Sequence, residues 1–160
     1  MKHVISVEVK NTFGILARIA SLFSARGYNI DSLTVGETED TSVSRITMVV
    51  PGDDPIIEQV VKQLRKLIDV IRVVDLTHTP TVARELILVR VAAKGSQRDE
   101  VMRLADIFRA RIVDVHSLSL TLEVTGNSDK VEGILALLKP LGIKKLVRTG
   151  KIALSRETRS

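Results

Sequence analysis

The stretch Asn11 to Val35, NTFGILARIASLFSARGYNIDSLTV, holds the residues best able to bind something small. Asn11 and Thr12 are N-cap types, whose short side-chain oxygens accept an orphan N–H of a first helical turn. Gly14 falls in that first turn, where glycine weakens a helix by about 1 kcal/mol relative to alanine. Without a Cβ there, the first-turn N–H groups stay open to a small anion. Asn29 offers a second amide, and Ile15, Leu16 and Ile30 offer apolar surface nearby in sequence.

Other chemistry is scarce. The chain has no cysteine, which removes disulfides, thiolate metal sites and a thiol nucleophile. His3, His78 and His116 share no ligand spacing and read as solvated or strand residues. There is no glycine-rich phosphate loop and no carboxylate pair in apolar surroundings. The acidic turn GETED reads as a solvated hairpin tip before a cation site. No catalytic residue and no metal ligand is assigned.

The elements around these residues follow from periodicity. Residues 3–9 alternate as a strand. Ile15, Leu16, Ile19, Ala20 and Phe23 then line one helical face, and Gly27 ends the helix at a left-handed position. Residues 29–36 and 45–50 form a hairpin around GETEDTS. Asp54 is expected as the N-cap of a second helix with Pro55 at its first position. The apolar face of that helix is Ile57, Val60, Val61, Leu64 and Ile68, and Val70 to Leu76 is a fourth strand. This is the βαββαβ, ferredoxin-like order, with two helices on one face of an antiparallel sheet.

THTPTVA, residues 77–83, has linker character, and the pattern then repeats. Leu86 to Ala92 is a strand, and Ser96 with Asp99 resembles a capping box. Val101, Leu104, Ala105 and Phe108 face inward from a helix, Ile112 to Val124 forms two strands, and a helix after Gly126-Asn127-Ser128 carries Val131, Ile134, Leu135 and Leu138. Ile143 to Leu154 is the last strand and ETRS a loose tail. A shift of 85 lays Ala20 on Ala105, Phe23 on Phe108 and Leu33 on Leu118. After the hairpin the shift is 74, which makes the second hairpin 11 residues shorter. Two related domains in tandem follow: residues 1–78, a linker at 79–84, and residues 85–160. The same shift sets Asp99 opposite Gly14, so a small anion suits the first copy and is repelled from the second.

The net charge of +5 is uneven: −1 over residues 1–77 and +6 over 78–160. Such a surplus suits a solvated face or an acidic protein partner. Nucleic acid is disfavoured, because Phe13, Phe23, Phe108 and Tyr28 are the whole aromatic supply and base stacking needs exposed rings. No apolar run reaches the roughly 20 residues of a membrane span, and the absence of cysteine makes the cytoplasm the expected location.

The run Asn11-x-x-Gly14-Ile15-Leu16-x-Arg18, followed by Leu22-Phe23-Ser24-x-Arg26-Gly27-Tyr28-Asn29-Ile30-x-Ser32-Leu33-Thr34-Val35, resembles the regulatory small subunit of acetolactate synthase (acetohydroxyacid synthase). Gln63-Leu64-x-Lys66-Leu67-x-Asp69-Val70 and Arg98-Asp99-Glu100-Val101 extend the resemblance over essentially the whole chain. It implies an α+β fold of two ferredoxin-like domains, the first an ACT domain that binds effector and dimerises side by side. It also implies a chain without catalysis or cofactor of its own. The partner would be a large subunit carrying thiamine diphosphate, FAD and magnesium. The small subunit would activate it and confer feedback inhibition, typically by valine, in branched-chain amino acid synthesis. The effector site implied is Asn11, Gly14, Ile15 and Leu16 of one chain with Asn29 and Ile30 of the other. The amides would meet the polar ends of an amino acid and the aliphatic side chains its branched group. The alternative is a stand-alone ACT-domain amino-acid sensor acting on another protein. The chain departs from the family pattern at Ile15 and Ala17, where relatives often carry a smaller residue and a hydroxyl, which leaves the choice of effector open.

Overall fold

The computed structural model describes residues 1–158; of the tail 157–160, Arg159 and Ser160 lie outside the described residues. The chain divides into two compact units, residues 1–82 with 151–160, and residues 83–150.

In the first unit the order is β1 (Lys2–Lys10), α1 (Ile15–Ala25), β2 (Ser32–Glu37), β3 (Val43–Pro51), α2 (Asp54–Arg65) and β4 (Val70–Asp75). The sheet order is β2-β3-β1-β4, with every pair antiparallel. Alternation along β1 and β3 sends Ile5, Val7 and Val9, with Ile46, Met48 and Val50, to the helix-covered face. Ile15, Ile19 and Phe23 of α1 and Ile57, Val60 and Leu64 of α2 close that core. Ile68 is exposed, because α2 stops at Arg65 and the helical stripe does not reach it.

The second unit repeats the plan: β5 (Thr81–Ala92, which begins in the first unit), α3 (Ser96–Ile107), β6 (Arg111–His116), β7 (Ser119–Gly126), α4 (Ser128–Leu138) and β8 (Ile143–Arg148). Its sheet order is β6-β7-β5-β8, and its core holds Val89, Leu122, Leu104 and Ile134. The two copies superpose on an offset of 82 at their first strands: Ile5 pairs with Met48 as Ile87 pairs with Val124. Each strand also carries its bulge at the matching place, Glu8/Val9 and Arg90/Val91.

Several boundaries differ from the sequence reading. Only residues 77–80 act as a turn after β4; from Thr81 the expected linker is already strand, since Thr81 and Val82 are β-branched and follow Pro80. The expected last strand breaks at Gly150, which has φ +92°, and Ile152–Ser155 forms a separate β9 paired with β5. Lys151 N–H donates to Ser32 Oγ (3.1 Å) and Arg156 N–H to Pro80 O (2.8 Å), so this segment groups with the first unit and not with residues 85–150. Asp53, not Asp54, caps α2, its Oδ1 accepting from Ile56 N–H at 3.1 Å. The Ser96–Asp99 capping box does not form; Gly95 is the N-cap of α3 and no side chain caps it. Among the described residues no helix is long and apolar enough to cross a membrane.

Candidate functional site

The loop from β1 into α1 is held by the neighbouring hairpin. Asn11 N–H donates to Ser42 O (2.7 Å), and its side-chain Nδ2 donates to Thr41 O (3.1 Å) and Glu37 Oε1 (3.3 Å). Asn11 therefore does not cap the helix as its type suggests; it ties the loop to the end of β2 and the turn before β3. The helix begins two to three residues later than an N-cap at Thr12 or Asn11 would place it, with Gly14 itself as N-cap at φ +83° and ψ 0°. That is the left-handed region, which glycine enters without the Cβ penalty. A Cβ at Gly14 would meet no atom within 4 Å, so the space in front of the helix is open. No side chain caps α1, and its first turn contains no acidic residue. The positive end of the helix dipole and the first-turn N–H groups face that space, which is the chemistry a carboxylate needs.

Around this opening, Leu16 is exposed and Phe13 is fully exposed, at 103% of its reference surface. Ile15 is buried in the first core and so faces away from the opening. Phe13 is the residue the sequence reading passed over; only its place between Asn11 and Gly14 could have marked it. Arg18, one turn on, pairs with Asp69 at 2.6 Å.

Asn29 and Ile30 lie past the other end of α1. Gly27, at φ +69°, closes that end: Gly27 N–H donates to Ser24 O and Tyr28 N–H to Phe23 O. Asn29 Nδ2 donates to Asp31 Oδ1 (2.9 Å), Asp31 N–H donates to Val49 O (2.8 Å), and Ile30 packs half-buried against the core. An 11-residue helix is about 16 Å long. Successive residues of a chain are only about 3.8 Å apart. One amino acid thus cannot touch Gly14 and Asn29 of the same protomer. The structure groups Asn11, Gly14 and Leu16 at one end and Asn29 with Ile30 at the other.

The acidic hairpin tip is used internally. Asp40 Oδ1 accepts from the Ser42 hydroxyl and N–H, which hold its carboxyl below the usual range. The sheet face away from the helices carries a second hollow of about 310 Å³, lined in part by Glu8, Arg45, Arg72 and residues of β9. Its charges meet one another: Glu8 pairs with Arg45 at 2.8 Å and sits in register with Arg72.

β2 is an edge strand with six residues in unbroken register on β3, and Glu37 is its one charged residue. Leu33 and Val35 sit opposite Met48 and Ile46 yet stay 36% and 46% exposed. The helix layer does not reach over this edge. The matching edge, β6, has a register shift between Ile112 and Asp114 and carries Arg111 and Asp114. Bulges and charges of this kind are what keep an edge from pairing.

The chain is similar to known proteins over nearly its whole length. Residues 5–72 match the model of the AHAS small subunit-like ACT domain, and residues 84–157 match the model of the small subunit of acetolactate synthase. The chain is 54% identical over 157 residues to the acetolactate synthase small subunit of Aquifex aeolicus, covering 98% of this chain and 82% of that protein. It is 54% identical over 156 residues to the probable acetolactate synthase small subunit of Archaeoglobus fulgidus, covering 98% of each. The crystal structure of the Thermotoga maritima acetolactate synthase small subunit has a TM-score of 0.88 at 37% identity and 99% coverage of both chains. The chain belongs to the acetolactate synthase small-subunit family.

Proposed function

We propose that this chain is a regulatory subunit, without catalysis or cofactor of its own, that activates the large subunit of a cytoplasmic acetolactate synthase. That partner would carry thiamine diphosphate, FAD and magnesium. The chain would also confer feedback inhibition by valine, bound between two ACT domains. The observation that carries the effector site is the start of α1: a left-handed glycine, open space before it, no capping side chain and no acid in the first turn. A carboxylate placed there gains hydrogen bonds from main-chain N–H groups and the favourable end of the dipole. Leu16 and Ile30 supply aliphatic walls, while Asn11 and Asn29 supply amides for the polar ends.

The separation of the two residue groups by the length of α1 favours a site shared by two protomers. Pairing through β2 supports the same reading, since its edge is regular, nearly uncharged and leaves Leu33 and Val35 partly uncovered. A second ACT sheet docked there would cover them and extend the sheet to eight strands.

The test is the activity of the large subunit with and without this chain, titrated with valine, leucine and isoleucine. Activation on mixing, followed by inhibition that valine produces at the lowest concentration, is expected. Failure of the two proteins to comigrate on gel filtration, with no change in activity, would leave a stand-alone sensor in its place.

A further inference from the structure

Away from the α1 opening, three side chains distant in sequence converge in the first unit. His3 of β1 is 1% exposed. Its Nδ1 donates to Asp75 Oδ2 of β4 at 3.0 Å, while its Nε2 is buried with no hydrogen-bond partner. That nitrogen lies 3.5 Å from Asp54 Oδ1, longer than an ordinary N–H···O bond. Asp54 is the first residue of α2, and because Asp53 does the capping its carboxylate has no helix-capping task. His78, in the turn after β4, places Nε2 4.0 Å from the same Asp54 oxygen, with its ring edge-on to His3 at 6.0 Å between centroids. One ligand atom from each of His3, Asp54 and His78 lies within 4.8 Å of the others. They line a hollow of about 420 Å³ to which Glu58, one turn along α2, also contributes.

We propose that His3, Asp54 and His78 bind a divalent transition-metal ion, with Zn²⁺ the best fit. Tetrahedral Zn²⁺ with bonds of about 2.0–2.1 Å needs its ligand atoms about 3.3–3.5 Å apart. The His3–Asp54 pair already meets that spacing. The Asp54 and His78 side chains are 77% and 66% exposed and can close the remainder by rotation. Asp75 supplies the outer carboxylate that metal-bound histidines characteristically have, fixing the proton on Nδ1 and leaving the Nε2 lone pair directed at the site. Two imidazoles and one carboxylate suit Zn²⁺, Ni²⁺ or Co²⁺, whereas Mg²⁺ and Ca²⁺ prefer all-oxygen sets. Water or Glu58 completes the fourth position. The ion would join β1, the start of α2 and the turn before β5, and so stabilise the first unit by mass action, independently of any effector.

The experiment uses the full chain without an affinity tag, stripped with a chelator. It is titrated with Zn²⁺ by calorimetry and with Co²⁺ by visible absorption, and melted with and without Zn²⁺. The expected result is one Zn²⁺ per chain, the intense bands of four-coordinate Co²⁺, and a melting temperature raised by Zn²⁺ but not by Mg²⁺. His78→Ala and Asp54→Asn, both at exposed side chains, should each weaken Zn²⁺ at least tenfold, while His116→Ala should leave it unchanged. Absence of Zn²⁺ binding, or binding equal in wild type, His78→Ala and Asp54→Asn, would overturn the site. The cluster would then be a histidine paired between two aspartates only.

Discussion

α1 and α3 both begin at a glycine with positive φ, Gly14 at +83° and Gly95 at +60°, and then part ways. In the second copy the chain coils at once. Gln97 N–H closes on Lys94 O, Arg98 N–H closes on Gly95 O, and Asp99 sits in the first turn. In the first copy residues 11–14 form a loop pinned to the hairpin by Asn11, and the helix that follows has no acid in its first turn. Both ends close alike: Arg109, at φ +53°, stands where Gly27 stands, with Ala110 N–H returning to Ala105 O as Tyr28 N–H returns to Phe23 O. A duplicated fold has thus kept the topology, the core and the helix exits while changing the entry. The entry is where an anion would bind, and only the first copy leaves it vacant of charge.

The comparison can be broken most sharply at Gly14. Gly14→Asp should abolish valine inhibition while activation of the large subunit persists. Like charges about 4 Å apart cost on the order of 1–4 kcal/mol depending on exposure, a loss of roughly tenfold to several-hundredfold in affinity. Aspartate at a left-handed position adds about 1–2 kcal/mol of backbone strain, but the side chain enters open space and the fold should hold. Gly14→Asn sharpens the point. It tolerates the same backbone without the charge, so its inhibition constant should fall between wild type and Gly14→Asp.

The edge strands give the next contrast. Val35→Lys, on β2, should turn the dimer into monomers in sedimentation at micromolar concentration, because an inward lysine blunts a pairing edge. Val115→Lys, on β6, should leave the oligomeric state unchanged. Equal effects would remove the asymmetry between the two edges.

Smaller effects test the caps. Asp53→Ala and Asn127→Ala each delete a side-chain acceptor, for Ile56 N–H and Lys130 N–H respectively, and should each cost about 1 kcal/mol in chemical denaturation. Ser96→Ala should cost less than about 0.5 kcal/mol, because Ser96 caps nothing.

These cases also mark what could be read from sequence. The βαββαβ order, the two cores and the repeat were legible because they rest on periodicity, which is local. Helix entries were less so. Asn11 is a capping type whose amide is taken by Thr41 and Glu37, some 30 positions away, and no window around Asn11 contains them. The repeat offset read as 85 aligned helix residues by type; hydrogen-bond register gives 82 at the first strands and again at the helix exits, where Ala105 O takes the place of Phe23 O. Matching Phe23 to Phe108 by type therefore slipped the helix by about one turn. Gly14 stands out in sequence for its missing Cβ, whereas its left-handed backbone at the start of α1 shows only in the fold. His3 and His78 share no spacing in sequence, and only the placement of β4 beside β1 brings them together.

The proposed effector site lies between Gly14 of one protomer and Asn29 of its partner. It is tested most directly by mixed dimers of Gly14→Asp and Asn29→Ala chains. Asn29→Ala alone should weaken inhibition about tenfold or more through loss of a hydrogen bond to a charged group. In the mixed dimer one site carries both substitutions and the other carries neither. Valine should then bind at half the wild-type stoichiometry with wild-type affinity, although each parent dimer binds weakly. Weak binding at every site of the mixed dimer would show that both residues serve one site within a single chain, and would contradict the account.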